Sequence, residues 1–432
     1  MLEPWSSLLP GWPGGVNVLS EKDHALKREI SPVSDITTAP TQSRFAKPVL
    51  KPADPRFSCG PVKKYPGWSW DALADAQLSR THRSAAPVAR IKETLDRTKM
   101  LLDMPEDYRV SLIPASDTGA MEAAMWSLLG ARGVDVFSWD VFGNRWTLDA
   151  RDELKLKDLR VFQESAGTLP DVSQYDRTRD AIFTLNGTAA GVWIPGYDWI
   201  DEDREGLTIC DATSGAFAVD IDWSKIDVLT FSWQKCMGGE AQHGMLVMGP
   251  RAIERLNTHR PDWPIPSICQ LHKGGQANMG LYEGSTINTP SLMAVEDYLA
   301  ACKWAAKIGG LEALIKRREA NFAALNEWVE TSQWAEYLCQ TAAHRSQVSV
   351  ALTYSDPAVK ALDTETQWAL SKKILALLER ENAALDIIMH RDSVPGIRVW
   401  CGPTIERDDL AALGPWLDWA YGEALDAVVS KG

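Results

Sequence analysis

Short apolar runs alternate with longer, helix-like segments along most of the chain. Residues 120–129 repeat apolar side chains at helical spacing, which predicts an amphipathic helix. Five short apolar runs, each bounded by polar residues or glycine, lie at 134–139, 181–185, 207–210, 228–233 and 245–248. Each has the length of a buried strand. Strands that alternate with helix-length or loop-length segments indicate an α/β domain with helices on both faces of one sheet.

Beyond residue 290 the helical period dominates. Segments 291–308 and 310–334 are typical of long amphipathic helices. They are followed by predicted strands at 347–352, 385–389 and 397–400, with predicted helices at 364–381 and 406–429. This mixture predicts a second, smaller α+β domain.

The first 45 residues differ from the rest of the chain. Five prolines and a polar run from 34 to 43 interrupt any apolar period, apart from a short helical candidate at 20–30. We therefore expect a disordered extension over 1–45. The remaining chain is divided into a large α/β domain over 46–305 and a small α+β domain over 306–432.

Composition and charge exclude several classes of protein. The 432 residues are 45% hydrophobic and 24% charged, and the formal charge is 45 − 58 = −13. This acidic balance disfavours sequence-independent binding to nucleic acid, which depends on Lys and Arg. No apolar run has the ~20 residues of a membrane helix, and no basic segment precedes the first apolar residues as in a secretory signal. We expect a cytoplasmic protein with neither nucleic-acid nor membrane partners.

The seven cysteines are widely spaced and contain no C-x-x-C motif. This spacing favours scattered, buried thiols over a disulfide framework or a zinc site. No metal site is predicted.

The most informative segment is Thr-Phe-Ser-Trp-Gln-Lys-Cys-Met-Gly-Gly at 230–239, where Lys235 directly follows an apolar strand. A lysine at the end of a buried strand is a candidate Schiff-base amine, because desolvation lowers its pKa and frees the nucleophile. An ordinary loop lysine is the alternative.

A carboxylate lies 24 residues before this lysine. Asp211 ends the strand-like segment Leu-Thr-Ile-Cys-Asp at 207–211. Pyridoxal-phosphate chemistry needs such a pair, since the carboxylate keeps the ring nitrogen protonated while the lysine holds the aldehyde. A turn or helix cap is the alternative role of Asp211.

A third segment, Pro-Ala-Ser-Asp-Thr-Gly at 114–119, precedes the predicted helix. Small residues before a helix leave backbone N–H groups free at its positive end, a geometry that binds phosphate. Simple capping by Ser116, Asp117 or Thr118 is the alternative. The chain lacks the G-x-x-x-x-G-K-[ST] pattern of a P-loop.

Together these segments resemble the phosphoserine aminotransferase family, within the class V, fold-type I group of pyridoxal-phosphate enzymes. The resemblance extends over residues 51–421 and is carried by Ser-Trp-Gln-Lys at 232–235 and Cys-Asp-Ala-Thr-Ser at 210–214. It implies a large, mixed and mostly parallel seven-stranded sheet flanked by helices, and a smaller α+β C-terminal domain. It also implies the cofactor pyridoxal 5′-phosphate.

The resemblance assigns the cofactor contacts residue by residue. Lys235 becomes the lysine that holds the cofactor, and Asp211 becomes the partner of the ring nitrogen. Thr188, in Asn-Gly-Thr at a strand end, matches the threonine that bonds the phenolic oxygen. The contacts implied for the cofactor phosphate are Asp117, Thr118, Gln234, Asn288 and Thr289.

Two of these assignments extend beyond a single site. Phe142 falls where the family has an aromatic residue stacked on the cofactor ring, with Trp139 and Trp146 nearby as alternatives. Asn288 and Thr289 match a segment that reaches the cofactor phosphate of the neighbouring subunit. The resemblance therefore implies a homodimer with active sites at the interface.

The substrate contacts follow the same pattern. His82 and Arg83 resemble a His-Arg-Ser segment whose arginine binds the substrate carboxylate, and Arg398 matches a second arginine at that end of the site. His390 and Arg391 match a His-Arg pair that binds the substrate phosphate, across the dimer. Outside the family pattern, each arginine would be read as a solvated surface charge.

The chain departs from the family pattern at Thr118, where part of the family has an arginine. The substrate phosphate would then depend more on His390 and Arg391, or on a residue that the sequence does not reveal. How strictly a phosphorylated substrate is required is left open at this point.

The resemblance implies ping-pong transfer of an amino group from glutamate to 3-phosphohydroxypyruvate, giving O-phospho-L-serine and 2-oxoglutarate. The family also serves vitamin B6 synthesis through 4-phosphohydroxythreonine, which the sequence does not distinguish. Alternatives are another class V aminotransferase of the alanine– or serine–glyoxylate type, a cysteine desulfurase using Cys401, or a non-catalytic scaffold of this fold.

Overall fold

The structure is a computed structural model that describes residues 44–429. All but the last two residues of the extension predicted over 1–45 therefore lie outside the described range. Its α-helices are α1 (Ala85–Leu101), α2 (Ser116–Leu128), α3 (Val141–Leu148), α4 (Pro250–Thr258), α5 (Leu292–Ile308), α6 (Gly310–Thr331), α7 (Pro357–Lys360), α8 (Thr364–Arg380) and α9 (Arg407–Val429). Its strands are β1 (Arg109–Pro114), β2 (Val134–Ser138), β3 (Leu159–Gln163), β4 (Asp180–Thr184), β5 (Asn186–Gly187), β6 (Val192–Trp193), β7 (Thr208–Asp211), β8 (Val228–Ser232), β9 (His243–Met248), β10 (His272–Lys273), β11 (Gln276–Ala277), β12 (Ala335–Tyr337), β13 (Ser349–Tyr354) and β14 (Ile397–Trp400).

Seven strands form the main sheet in the order β1-β9-β8-β7-β4-β2-β3. The pairings from β8 to β3 are parallel, whereas β9 runs antiparallel to both β8 and β1. The five apolar runs of the sequence are β2, β4, β7, β8 and β9. The predicted mixed, mostly parallel seven-stranded sheet is confirmed.

The continuous apolar runs reflect burial of both faces of this sheet. Every residue of β2, β4 and β8 is buried. Neighbouring residues enter different apolar clusters: Phe183 and Leu229 pack on one face, and Ile182 and Val228 on the other. Because side chains alternate between faces along a strand, helices on both sides must cover the sheet. Helix α2 covers one face, with residues such as Met121 and Ala124 fully buried.

The C-terminal part contains a three-stranded antiparallel sheet in the order β12-β13-β14 and the helices α6, α8 and α9. Helix α5 continues through residues 305 and 306, where the sequence places the domain boundary. That boundary stays a prediction.

The strand predicted at 385–389 is wrong. This segment forms only single bridges, from Leu385 to Arg56 and from Ile388 to Ile397. Asp386 has a φ of 57°, which interrupts the extended backbone that a strand requires. Ile387 and Met389 are buried without belonging to a continuous strand.

Between residues 44 and 429, none of the helices combines the length and the apolar character needed to cross a bilayer. All seven cysteines lie in this range, and each is a buried free thiol.

Candidate active site

A cavity of about 150 Å³ lies where β4, β7 and β8 end. Open α/β sheets bind ligands at the carboxyl ends of their strands, because the loops that follow the strands diverge there. Half of the cavity-lining residues had been assigned to the site from the sequence, and they are Asp117, Thr118, Phe142, Thr188, Asp211, Gln234 and Lys235.

Lys235 follows β8 by three residues and is 8% exposed. Its Nζ donates a hydrogen bond to the carbonyl oxygen of Cys59. Burial, together with the nearby guanidinium of Arg398, lowers the pKa of Lys235 to about 8. A larger fraction of this amine is therefore neutral near pH 7 than of an ordinary lysine, as a nucleophile or a proton acceptor requires.

Asp211 ends β7 and is 3% exposed. Its Oδ2 accepts a hydrogen bond from Nε1 of Trp146 at 3.0 Å, and its Oδ1 accepts one from the backbone N–H of Thr213, also at 3.0 Å. Donors to both oxygens fix the orientation of the carboxylate. This arrangement suits a group that holds a proton on a ring nitrogen.

The N-terminus of α2 forms another wall of the cavity through Ser116, Asp117 and Thr118. Ala115 and Ser116 both have positive φ angles, of 67° and 61°. For non-glycine residues this conformation costs on the order of 1–3 kcal/mol each, and it persists where the surrounding fold enforces it. The strained turn leaves the N–H groups of Asp117 and Thr118, in the first turn of a 13-residue helix, at the cavity, where they can bind an anion.

The turn after β4 is held by a small hydrogen-bond network. Thr188 Oγ1 donates to Ser214 Oγ at 2.6 Å, and Ser214 Oγ donates to the Asn186 carbonyl at 2.9 Å. Arg398, on β14, donates from Nη1 to the Thr188 carbonyl at 3.1 Å. These contacts bring the predicted arginine of the C-terminal sheet to the edge of the cavity.

Helix α3 supplies the aromatic wall. Asp140 caps this helix by accepting from the N–H groups of Phe142 and Gly143, at 3.0 and 2.8 Å. Phe142, 40% exposed, and Trp146 both line the cavity. Trp139 instead donates its indole N–H to the Val192 carbonyl at 3.2 Å and is 1% exposed. Of the three aromatic candidates, Phe142 and Trp146 lie at the site.

Among the predicted substrate contacts, those of the C-terminal region lie near the cavity. The ring of His390 makes an edge contact with Phe142, with 5.7 Å between centroids. Arg391 is next to it, but its side chain is 89% exposed and pairs only with Asp392 at 3.5 Å. His390 therefore lies beside the site of its own chain, whereas the guanidinium of Arg391 extends into solvent.

The remaining predicted residues do not line this cavity in the described chain. His82 is buried in the turn before α1, and Arg83 beside it is exposed. Asn288 and Thr289 are both exposed in the segment before α5.

Two features of the site were missed from the sequence. Arg145, on α3, lines the cavity as an additional cation. The segment around Cys59 and Gly60 covers Lys235, and a Cβ atom at Gly60, whose φ is 148°, would collide with Lys235 Nζ. The Gly-Pro pair at 60–61 was a visible turn signal, but nothing local in the sequence linked it to a lysine far along the chain.

The residues fit a pyridoxal-phosphate cofactor. Within the described range, Thr184 Oγ1 and Asn186 Oδ1 are buried at the cavity without a hydrogen-bond partner. Buried polar atoms are usually satisfied, so these atoms indicate a polar ligand. The cavity also offers an amine of lowered pKa for the aldehyde. It has an oriented carboxylate for the ring nitrogen and a helix N-terminus for the phosphate.

Comparison with known proteins gives a close relative along almost its whole length. The chain is 47% identical over 375 residues to a phosphoserine aminotransferase of Methanosarcina mazei, covering 87% of this chain and 99% of that protein. No family model matches the chain.

Solved structures share the fold at lower identity. A phosphoserine aminotransferase from Cytophaga hutchinsonii has a TM-score of 0.72 at 20% identity, covering 84% of this chain and 98% of that one. The phosphoserine aminotransferase of Trichomonas vaginalis with bound PLP has a TM-score of 0.68 at 17% identity, covering 84% and 99%. An alanine–glyoxylate aminotransferase from a Nostoc species has a TM-score of 0.69 at 18% identity, covering 87% and 97%. The fold alone is thus compatible with more than one amino-group acceptor.

Proposed function

The chain belongs to the phosphoserine aminotransferase family, and on that premise we propose that it transfers an amino group between glutamate and 3-phosphohydroxypyruvate. The products are O-phospho-L-serine and 2-oxoglutarate. The observation that carries the proposal is the 47% identity over 99% of a phosphoserine aminotransferase, combined with Lys235 and Asp211 in the wall of one cavity.

Pyridoxal phosphate, when bound, supplies an electron sink for the negative charge that develops at the α-carbon of the amino acid. The chain's own residues provide the rest. Lys235 Nζ would take the proton from the substrate α-carbon and deliver it to the aldehyde carbon of the cofactor, and a pKa of about 8 suits this role near neutral pH. Asp211, oriented by Trp146 and Thr213, holds the proton on the ring nitrogen.

Binding of the cofactor is divided among neighbouring elements. The N-terminus of α2 with Thr118, together with Gln234, holds the phosphate, and Thr188 holds the phenolic oxygen. Phe142 or Trp146 packs against the ring. This division is supported by the position of all five side chains around one cavity.

The substrates are anionic, and the site concentrates positive charge. Arg398 binds a substrate carboxylate, since its guanidinium already lies at the cavity edge on the Thr188 carbonyl and its planar fork matches a carboxylate. His390 and Arg145 are the nearest candidates for the substrate phosphate. Arg145 lines the same cavity as Thr118, the position at which part of the family supplies an arginine.

The proposal includes a homodimer with composite active sites. His82, Arg83, Asn288 and Thr289 match family segments that bind substrate or the neighbouring subunit's cofactor phosphate, yet they do not line the cavity of the described chain. A second copy would bring them to a site, which explains why they match the family while three of them are exposed here.

The proposal places the enzyme in the cytoplasm. Seven buried free thiols are typical of a reducing compartment.

Two alternative functions make different demands on the chain. A desulfurase needs a reactive, mobile thiol, but Cys401 is fully buried, and burial raises the pKa of that thiol well above its usual value. A glyoxylate-type aminotransferase would share the fold and Lys235, and differs in having no use for a substrate phosphate. Activity assays separate it from the proposed function.

The test is a coupled assay of amino transfer by the cofactor-loaded protein, with Lys235→Ala beside Lys273→Ala. Lys273 is an exposed residue of the hairpin formed by β10 and β11, so its substitution controls for the loss of a lysine elsewhere. We expect Lys235→Ala to abolish turnover and the visible absorbance of the bound cofactor, and Lys273→Ala to preserve both. Full turnover by Lys235→Ala would refute the proposed role of this lysine.

A further inference from the structure

Asp117 is a buried acid that the proposed function does not use through its side chain. It is the second residue of α2, it is 5% exposed, and it lies in the cavity wall beside Asp211. A helix N-terminus that binds phosphate needs backbone N–H groups and gains nothing from a carboxylate, because two anions would repel each other. The side chain therefore requires a separate explanation.

The surroundings of the Asp117 carboxyl are polar. The Asp211 carboxyl and the hydroxyls of Thr213 and Thr230 lie within hydrogen-bonding reach of it. Yet Asp117 Oδ1 and both hydroxyl oxygens are buried and have no well-aligned partner among the described residues. A rotatable hydroxyl can either donate or accept a hydrogen bond, so these neighbours can pair with the Asp117 carboxyl whether or not it carries a proton.

Two buried carboxyl groups in contact cannot both be ionised without a large electrostatic cost, so one of them keeps a proton. Both oxygens of Asp211 already accept N–H donors, from Trp146 and Thr213, so its carboxyl group acts as an acceptor on both sides. Asp117 receives no comparable N–H donor within the described range. Burial and the neighbouring Asp211 raise the pKa of Asp117 well above its usual value.

The other titratable groups around the pair do not change this assignment. Cys210 on β7 is a neutral thiol, because burial and the two carboxyl groups raise its pKa. Asp140, the cap of α3, is also buried, and burial is the main cause of its raised pKa. Lys235 and Arg145 are the cations in the same cavity wall, and Lys235 interacts with Asp211.

We propose that Asp117 is a positioning residue that carries a proton and donates it in a hydrogen bond to the Asp211 carboxylate. The proton stays on Asp117 throughout turnover. Its hydrogen bond restrains Asp211 from the side of α2, as Trp146 does from the side of α3. The functional part of the inference rests on the proposed aminotransferase activity, whereas the position of the proton does not.

Whether the pair of acids holds a proton can be measured without cofactor or turnover. Infrared difference spectra of the cofactor-free protein at pH 7 compare the wild type with Asp117→Asn, and with Asp203→Asn as a control at an exposed carboxylate. We expect Asp117→Asn to remove a protonated carboxylic acid band and Asp203→Asn to remove only an ionised carboxylate band. Loss of an ionised carboxylate band on Asp117→Asn would overturn the proposal.

The positioning role is tested on the cofactor-loaded protein. An asparagine amide can still donate to Asp211, whereas alanine cannot. We expect Asp117→Asn to keep kcat within a few-fold of wild type, and Asp117→Ala to lower kcat about tenfold or more with little change in KM for phosphoserine. The visible circular dichroism of the bound cofactor, which reports how the ring is held, should change in the alanine variant and be restored in the asparagine variant.

Equal loss in Asp117→Asn and Asp117→Ala would contradict the proposal, since it would mean that the negative charge or the shape of Asp117 matters rather than a donated proton. The infrared comparison needs only the nearly isosteric asparagine variant, so it shows whether the pair of acids holds a proton even if the alanine variant does not fold. If the wild type proved inactive on phosphoserine, the proposed function would fail while the infrared result would still stand.

Discussion

The amine of Lys235 should titrate far below the range of ordinary lysines in the cofactor-free protein. The side chain is buried at the end of β8 and lies near Arg398, and together these lower its pKa from 10.5 to about 8. A difference of 2.5 units corresponds to roughly 3 kcal/mol of differential stabilisation of the neutral form, at 1.36 kcal/mol per unit.

This difference has a measurable consequence near neutral pH. With a pKa of about 8, about one tenth of the Lys235 amine is neutral at pH 7, compared with roughly one in three thousand for an amine at the reference value. At equal access, the neutral fraction and hence the labelling rate at pH 7 should be on the order of three hundredfold higher than for an amine at the reference value.

The assay is pH-dependent labelling of the cofactor-free protein, followed by mass spectrometry of the peptide that contains Lys235. The exposed Lys273 in the same digest provides the internal reference for the intrinsic reactivity of the reagent. We expect labelling of Lys235 to rise through a midpoint near pH 8. A midpoint at or above pH 10 would refute the inference that burial and Arg398 prepare this amine for chemistry.

Three further outcomes follow from the same geometry. Arg398→Gln should move the Lys235 midpoint upward from pH 8, because it removes the nearby positive charge, and an unchanged midpoint would show that burial alone is responsible. Burial lowers the pKa of His243 from 6.5 to about 4. Between pH 6.5 and 4 the unfolded chain therefore binds more protons than the folded protein, so the folded protein loses stability as the pH falls through this window. Denaturant unfolding should therefore show that the free energy of unfolding falls by about 3 kcal/mol less from pH 7 to pH 4 in His243→Gln than in wild type, and equal decreases would contradict the assignment. Arg83→Lys should raise KM for glutamate about tenfold with a small change in kcat, because lysine cannot bind a carboxylate bidentately; an unchanged KM would remove Arg83 from the substrate site.

The fold was predictable wherever burial on both faces left a continuous apolar run. The five strands at the centre of the sheet and helix α2 correspond to such runs. Strand β3 was missed because it lies at the edge of the sheet, where none of its residues is fully buried and the apolar signal is weak. The strand expected at 385–389 failed for the opposite reason, since apolar residues there are buried around a left-handed Asp386.

The site was predictable where function and local pattern coincide, as at strand ends and helix starts. Lys235, Asp211 and the N-terminus of α2 were found in this way, and they line one cavity. The contacts that tune these groups were not visible, because they join distant parts of the chain. The carbonyl of Cys59 lies 176 residues from Lys235, and Trp146 lies 65 residues from the Asp211 carboxylate that it holds.

The contact between the side chains of Asp117 and Asp211 could not be predicted from the sequence. In the sequence Asp117 is part of a capping or phosphate-binding turn. Only the folded chain places its side chain against Asp211. Whether an acid is ionised depends on such neighbours, and no local spacing in the chain contains that information.

The central claim is that this family member transfers the amino group of a phosphorylated substrate. The most direct measurement compares kcat/KM of the purified, cofactor-loaded protein for phosphoserine with the values for serine and alanine, using 2-oxoglutarate as the acceptor. With the cations Arg145 and Arg398 and the imidazole of His390 around the cavity, we expect phosphoserine to be preferred by on the order of a hundredfold or more. Equal values for phosphoserine and serine would contradict the account and assign the protein to an aminotransferase that ignores the phosphate.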